Sequence, residues 1–364
     1  MGTSIAVDGS DDTGAKKPVV CFLGPMSSYT HQAALQSFSK DDVELMPVST
    51  IKDVFETTQA GAADYGVVPI ENSTHGSVVF TLDLFAECEK LYPDLSVCAE
   101  VYLKVHHCLL GYLPPPAAAS LPTTTTPTAS SLLVSGQCTP TPSHPQPIHP
   151  RAQPLVSLAH IKRIYSHPQA FGQCRKFFET YLRGADTVDV SSTSRAAELA
   201  ASDPSGESAA VSSALAATET GLEFLGRNIE DRDDNETRFF VLWRDEGALV
   251  KGRGQQQSIK SSSGAKSQDN HASGATKSLV SFTVPHRAPG ALADVLECFR
   301  KGGLDLTSIN SRPSLIAPFQ YIFFVEFEGH KLEDPQGRVK DVLENVGNVA
   351  ESWRWLGSWE NMRR

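Results

Sequence analysis

The sequence predicts an α/β protein in which two lobes face a cleft and a small βαββαβ unit of ferredoxin-like order follows. Three observations carry this. From Pro18 to about position 245, short apolar runs alternate with helix-period segments, the pattern of strands paired in parallel and joined by helical crossovers. Two stretches break the alternation: 114–154 is rich in Pro, Thr, Ser and Ala, and the segment ending at Lys277 is rich in Gly, Ser and Gln. Segments of that composition cannot bury a core and are expected to be disordered. After the second, the order strand, helix, strand, strand, helix, strand runs to the C-terminus.

In order, 19–24 reads as a strand, 29–38 as a helix, 43–48 as a strand, 51–60 as a helix and 65–70 as a strand. A helix over 77–92 follows the loop at Asn72. Beyond the first break come strand 161–165, helix 169–181, strand 187–190, helix 193–201, strand 209–212 and helix 214–220, which Gly221 closes. The strand that begins at Thr237 returns to the first lobe, so the second lobe interrupts it. The C-terminal unit reads as strand 278–284, amphipathic helix 290–301, strands 304–311 and 321–328, helix 335–346 and strand 352–357. The expected division is a disordered tail over 1–17, a two-lobed region over 18–245 with a disordered insertion at 114–154, a linker over 246–277, and the C-terminal unit over 278–364.

Composition narrows the function. The chain has 364 residues, of which 40% are hydrophobic and 20% charged, and a net charge of -10. That balance argues against non-specific nucleic-acid binding, which needs clustered Lys and Arg. A dianionic ligand would have to be held by local donors such as helix N-termini and one or two Arg. No apolar run reaches membrane-spanning length, since 321–327 is interrupted by Glu326. Seven cysteines without a C-x-x-C pair argue against a disulfide framework or zinc site and for a reducing compartment. Residues 1–17, with Asp8, Asp11 and Asp12, lack the apolar core of a signal peptide and the acid-poor character of a transit peptide. The expected location is the cytosol. No metal is expected: adjacent strand residues His106 and His107 face opposite sides. The Asp231-x-Asp233-x-Asn235 stretch has Glu236 where a calcium loop needs Gly.

Candidate site residues lie where polar segments meet apolar strands. Asn228 to Val241 runs from a charged loop into a strand and sets Thr237 and Arg238 at its mouth, where α/β proteins bind ligands. Phe22-Leu23-Gly24-Pro25 leads to Ser27-Ser28-Tyr29-Thr30. Pro69-Ile70-Glu71-Asn72-Ser73 is followed by Gly76, and Ser166-His167-Pro168-Gln169-Ala170 by Gln173-Cys174. Ser192-Thr193-Ser194-Arg195 opens a helix, and Thr237-Arg238-Phe239 closes the series. These five ordered motifs together resemble the prephenate dehydratase family. The tail resembles an ACT domain, with Pro289-Gly290-Ala291-Leu292 as its first ligand loop. Asn310-Ser311-Arg312-Pro313 stands where the family usually has Glu-Ser-Arg-Pro.

The resemblance implies a periplasmic-binding-protein-like catalytic region and a C-terminal ACT domain that senses phenylalanine. The activity implied is decarboxylative dehydration of prephenate to phenylpyruvate, carbon dioxide and water, in phenylalanine biosynthesis and without a cofactor. Thr237 is then the group that hydrogen-bonds or protonates the leaving hydroxyl, with Asn72, Ser166 and Gln173 as neutral partners. Ser28, Thr30, Glu71, Ser73, Thr193, Arg238 and Phe239 are candidates for substrate binding, and Arg238 should point away from Thr237 on the strand. Ser28, Thr30 and Thr193 are equally ordinary N-cap types. Glu71 also suits a structural hydrogen bond, and His167 suits a structural or orienting role better than proton transfer. The two tail loops would bind the effector, residue by residue Pro289, Gly290, Ala291, Leu292, Asn310, Ser311, Arg312 and Pro313. Without a mutase region ahead of the first motif, the expected form is monofunctional and a homodimer or homotetramer. Two alternatives are arogenate dehydratase, the same reaction on the amino-acid analogue, and a non-catalytic amino-acid sensor that keeps only the ACT loops.

Overall fold

The computed structural model describes residues 17–114, 149–244 and 275–363. The expected tail over 1–17, the insertion 114–154 and the linker 246–277 lie almost wholly outside the described residues. The described end of the insertion, 149–154, departs from the disorder expected for it: Arg151 donates to the buried carboxylate of Glu230 at 2.8 Å.

The first lobe is built on β1 (Val19–Leu23), β2 (Glu44–Val48), β3 (Tyr65–Asn72), the short β4 (Gly76–Ser77) and β5 (Leu95–Lys104), with α1 (Tyr29–Ser37), α2 (Ile51–Gln59) and α3 (Val79–Leu91) over its faces. β1 is wholly apolar because both of its faces are covered. Cys21 packs among Val54, Phe55 and Phe85, and Phe22 among Ala33, Ala34 and Phe38. The chain crosses into the second lobe at β6 (Cys108–Gly111) and continues through β7 (Arg163–Ser166), α4 (Pro168–Gln173), α5 (Arg175–Tyr181), β8 (Asp186–Asp189), α6 (Thr193–Ala201), β9 (Ser208–Ser212), α7 (Ala214–Thr220) and β10 (Glu223–Gly226). It returns as β11 (Glu236–Arg244), between β3 and β5.

The expectation of parallel pairing throughout holds only in part. β1 is parallel to β2 and β3, and β7 to β8 and β9. β11 is antiparallel to both neighbours, and β6 is antiparallel to β9. Chain geometry dictates the first reversal: the chain leaves lobe one at Lys104 and re-enters beside it at Glu236, so β11 must run back along β5. β4, β5, β6 and β10 are not among the expected strands, and the helix expected over 169–181 is two helices broken at Cys174.

The C-terminal unit comprises β12 (Thr276–Thr283), α8 (Ala291–Lys301), β13 (Leu306–Pro313), β14 (Tyr321–Glu328), α9 (Arg338–Val349) and β15 (Ser352–Glu360). Its four-stranded sheet, with α8 and α9 packed on Val280, Phe282, Val325 and Phe327, is not a separate body. β15 reaches β5 through Gly357 and Val97, which makes one ten-stranded sheet in the order β13-β14-β12-β15-β5-β11-β3-β1-β2 with β4 beside β3. A side chain at Gly357, whose φ is +144°, would strike the Val97 carbonyl. Leu279, Phe324, Leu356 and Trp359 of the C-terminal unit share a core with Phe85, Phe240 and Leu242 of lobe one. Among the described residues no helix is long and apolar enough to cross a membrane.

A buried ion cluster joins the two units. Arg238 on β11 donates to both carboxylate oxygens of Glu326 on β14, at 2.8 and 2.7 Å, and through Nε to Glu100 on β5 at 2.8 Å. Lys277 on β12 reaches the other Glu100 oxygen at 3.3 Å, and the Met362 amide donates to it at 3.0 Å. All four charged side chains are 8% exposed or less. Two carboxylates thus balance two cations away from water. Removing one member strands a buried charge, whereas replacing a matched pair by apolar groups costs little. We therefore expect Glu326→Gln to lower unfolding free energy by about 3 kcal/mol. The urea midpoint should drop at unchanged m-value, and Arg238→Met combined with Glu326→Leu should lose less than either single change.

Candidate functional site

Three helices begin at the mouth between the lobes. Ser28 caps α1, accepting from the His31 amide at 3.1 Å while its hydroxyl donates to the Leu23 carbonyl at 3.0 Å. Ser192 caps α6 in the same way through the Arg195 amide at 3.0 Å. α3 starts just past Ser77 and Val78. Each cap takes the third amide of its helix, and by helix geometry the first two have no intrahelical acceptor. Those amides belong to Tyr29 and Thr30 in α1 and to Thr193 and Ser194 in α6, and they carry the positive end of each helix dipole. Ser194 adds a donor of its own: the residue is 3% exposed, lines the cleft, and its hydroxyl has no partner in the protein.

The cleft holds about 380 Å³ and is lined from both lobes. No Arg, Lys, Asp or Glu contributes to its described lining. Its polar wall is a chain of neutral groups. The Asn72 amide donates from Nδ2 to Thr237 Oγ1 at 2.9 Å and to Asn235 Oδ1 at 2.9 Å. Asn72 Oδ1 accepts from the Thr74 and His75 amides at 3.0 and 3.1 Å, which fixes the orientation of the carboxamide. Because Asn72 occupies an acceptor position on Thr237, the threonine's own proton is left to point elsewhere. On the far side Gln173 Oε1 lies 2.6 Å from His107 Nε2, and His107 Nδ1 lies 2.9 Å from the Tyr29 hydroxyl. Burial lowers the His107 pKa and raises that of Tyr29, so both are neutral near pH 7.

Two strands of chain hinge the lobes. Val105 donates to the Asn235 carbonyl at 2.9 Å and Ile229 to the His107 carbonyl at 3.0 Å. Glu230, 1% exposed, accepts from the His107 amide at 2.9 Å and pairs with Arg151 and His106. The cleft behind this hinge binds through helix ends and neutral amides. It can orient carboxylates and supply hydrogen-bond donors, and among its described lining residues there is no carboxylate to act as a base or to hold a cation.

Of the sequence-derived candidates, Ser28, Thr30, Asn72, Gln173, Thr193, Thr237 and Phe239 line one cleft. The Ser28 hydroxyl is spent on its cap and on Leu23, so the capping role is the one observed. Four expected residues lie elsewhere. Ser166 is 0% exposed and donates to the Val211 carbonyl at 2.9 Å, inside lobe two. Glu71 is exposed and outside the lining. Ser73 donates to the Asp234 carbonyl and accepts from the Glu236 amide, both at 2.9 Å, closing the loop. Arg238 is turned to the opposite face of β11 and is held in the ion cluster, so it is not a substrate residue. His167 lines the cleft and accepts from the Gln169 amide at 3.2 Å as the cap of α4, which fits the structural reading. His75, His107 and Ser194 were missed. A buried His beside Val105 and Cys108 in an otherwise apolar stretch was the available signal for His107.

Of the expected effector residues, Gly290 caps α8 at φ +83°. Asn310 accepts from Ser77 at 2.8 Å, and Arg312 donates to Asp83 on α3 at 2.6 and 3.2 Å. Ser77 itself lines the cleft. Among the described residues no hydrogen bond joins 289–292 to 310–313.

Comparison with known proteins agrees with this architecture. A family model for prephenate dehydratase matches residues 20–125 and 143–247. A bifunctional chorismate mutase/prephenate dehydratase of Aquifex aeolicus is 33% identical over 344 residues, 94% of this chain and 74% of that protein. A probable prephenate dehydratase of Saccharomyces cerevisiae is 28% identical, covering 95% of this chain and 97% of its own length. The crystal structure of a prephenate dehydratase from Arthrobacter aurescens in complex with L-Phe superposes with a TM-score of 0.68 at 28% identity, covering 94% of this chain and 90% of that one.

One carboxyl beside the cleft titrates unusually. Asp231 accepts from the Lys176 amide at 3.0 Å, and burial pushes its pKa up to about 6. A carboxyl whose folded pKa is raised contributes stability fully present below its unfolded pKa, near 4, and lost as pH rises through about 6. Asp231→Asn should therefore raise the melting temperature at pH 7.5, and thermal scans between pH 4 and 7 should show a flatter profile than the parent's.

Proposed function

The chain belongs to the prephenate dehydratase family, and on that premise we propose that the cleft binds prephenate and expels carbon dioxide and water from it to leave phenylpyruvate. The observation that carries the assignment is the Asn72–Thr237 pair in an uncharged cleft where helices begin. Prephenate has a ring carboxylate and a pyruvyl group on one carbon and a hydroxyl across the ring. When the bond to the ring carboxylate breaks, its electron pair enters the ring, the carbon–oxygen bond across the ring breaks, and the departing hydroxide takes one proton to become water. Aromatisation supplies the driving force.

Each group in the cleft then has a task. The amides of α1 and α6, with the Ser194 hydroxyl, suit carboxylates. Neutral donors hold the ring carboxylate more weakly than a guanidinium would, so the ground state that must lose it is not over-stabilised. Thr237, with its oxygen engaged by Asn72, directs its proton to the leaving hydroxyl. A threonine is too weak an acid to be the ultimate source, so it relays or hydrogen-bonds. The same lining counts against arogenate, whose ammonium would meet no carboxylate. Intact cleft chemistry counts against a sensor without activity.

Residues 278–364 would serve as an ACT domain, with phenylalanine as effector at 289–292 and 310–313. Support comes from the L-Phe complex of the Arthrobacter aurescens relative and from the Asn310–Ser77 and Arg312–Asp83 bonds, which run from β13 to the cleft wall and to α3. A homo-oligomer, dimer or tetramer, is supported by β13 at the sheet edge. Near it Ile309, Leu315, Ile316 and Phe319 are 51, 65, 66 and 82% exposed. The unpaired cysteines Cys21, Cys98, Cys108, Cys174 and Cys298 suit a reducing, cytosolic setting.

The purified protein should release phenylpyruvate from prephenate far faster than from arogenate. Thr237→Ala should lower kcat by about 10²-fold or more at little-changed KM, because the lost bond matters chiefly in the transition state. Equal turnover of arogenate, or full activity in Thr237→Ala, would sink the assignment.

A further inference from the structure

We propose that His107 is a positioning residue for the dehydratase reaction: from the hinge between the lobes it sets which end of the Gln173 carboxamide faces the cleft. This rests on the cleft being where prephenate is turned over.

His107 sits where the chain crosses from β5 to β6 and is 2% exposed. It touches both lobes at once. Its Nε2 is 2.6 Å from Gln173 Oε1 at the end of α4 in lobe two. Its Nδ1 is 2.9 Å from the hydroxyl of Tyr29, the first residue of α1 in lobe one. The Tyr29 ring stands edge-on to the imidazole, with centroids 5.9 Å apart. Its backbone is held as well, because the His107 amide donates to Glu230 at 2.9 Å.

The chemistry of a carboxamide makes this contact decisive. Its oxygen only accepts and its nitrogen only donates, yet the two ends have nearly the same shape, so packing alone does not choose between them. A partner that donates selects one. The Gln173 oxygen facing Nε2 calls for the imidazole proton there, so that His107 donates to Gln173 Oε1, while its Nδ1 faces the Tyr29 hydroxyl, which also lies 3.0 Å from the His106 carbonyl. The Gln173 amino group is then turned toward the opening, where it lies 3.5 Å from His75 Nδ1. A substrate carboxylate there meets N–H donors. Turned the other way, the same side chain would present its carbonyl oxygen to an anion and repel it. Because the imidazole is tied to Tyr29 in the other lobe, the same contact also fixes Gln173 relative to the α1 N-terminus across the cleft. His107 touches no substrate in this account; it acts through Gln173.

The test is a set of double-mutant cycles read as steady-state kinetics on prephenate. His107→Phe keeps the ring and removes both nitrogens. His107→Asn keeps a polar atom toward Tyr29 but none at the ε position, whereas His107→Gln places an amide nitrogen there. We expect His107→Phe and His107→Asn to lower kcat/KM by about 10- to 100-fold, as small misplacements of binding groups do. His107→Gln should recover most of that loss. In a Gln173→Ala background the His107→Phe change should cost less than about threefold, because the residue it acts through is already gone. Thermal melting of each variant identifies any that fails to fold. If His107→Phe fails, the contrast between His107→Asn and His107→Gln decides alone. Fully additive losses, or equal activity of His107→Asn and His107→Gln, would overturn the proposal. If Gln173→Ala by itself leaves turnover unchanged, the reading of the cleft falls, and the positioning role with it.

Discussion

Thr237 and Arg238 are neighbours on β11, and a strand sends neighbours to opposite faces. Setting the threonine in the cleft therefore drives a guanidinium into the far side of the sheet, where no water reaches it. A lone buried cation would cost far more than the fold can supply, so that face must bring carboxylates of its own. Glu100 comes from β5 beside it and Glu326 from β14 of the C-terminal unit. The continuous sheet, the shared core around Trp359 and the glycine contact at Val97 join the same two units as these groups. The C-terminal unit thus completes the strand that carries the candidate proton-handling residue.

The cleft follows the opposite rule. There the chain avoids charge and relies on helix ends, amides and hydroxyls, although the expected ligand is a dianion. The arrangement suits a reaction in which one carboxylate must be gripped and then let go. It also explains why histidines appear in the lining without a carboxylate partner there. At His107 a neutral imidazole serves as a directional donor and acceptor, and burial keeps it in that state.

Much of this was legible in the sequence, for identifiable reasons. Strand–helix alternation and the polar segments at strand mouths are local signals for the elements, and the ordered motifs that carry the family resemblance named residues of which seven line the cleft. What failed was non-local. Glu100 and Arg238 are 138 residues apart, and Arg238 and Glu326 are 88 apart, so nothing near Arg238 says that its partners are internal. β5 was overlooked because Glu100 interrupts its apolar pattern, and the charge that obscures the strand is the one the cluster needs. The family resemblance makes Ser166 a catalytic candidate and Ser73 a binding one, yet their hydroxyls donate to backbone carbonyls. The partners of His107, Gln173 and Tyr29, lie far away in sequence, so nothing beside it announces these contacts.

The shared sheet also constrains how the chain is made. β5 emerges from the ribosome with both edges bare. Its inner neighbour β11 follows only after the whole second lobe, and its outer neighbour β15 is nearly the last segment synthesised. For most of translation the nascent protein therefore carries an open strand able to pair with another chain. Charged residues on such a strand discourage that pairing. Glu100 and Lys104 are the ones β5 carries. Glu100 thus puts a charge on the open strand of the unfinished chain and is a buried counterion in the finished one.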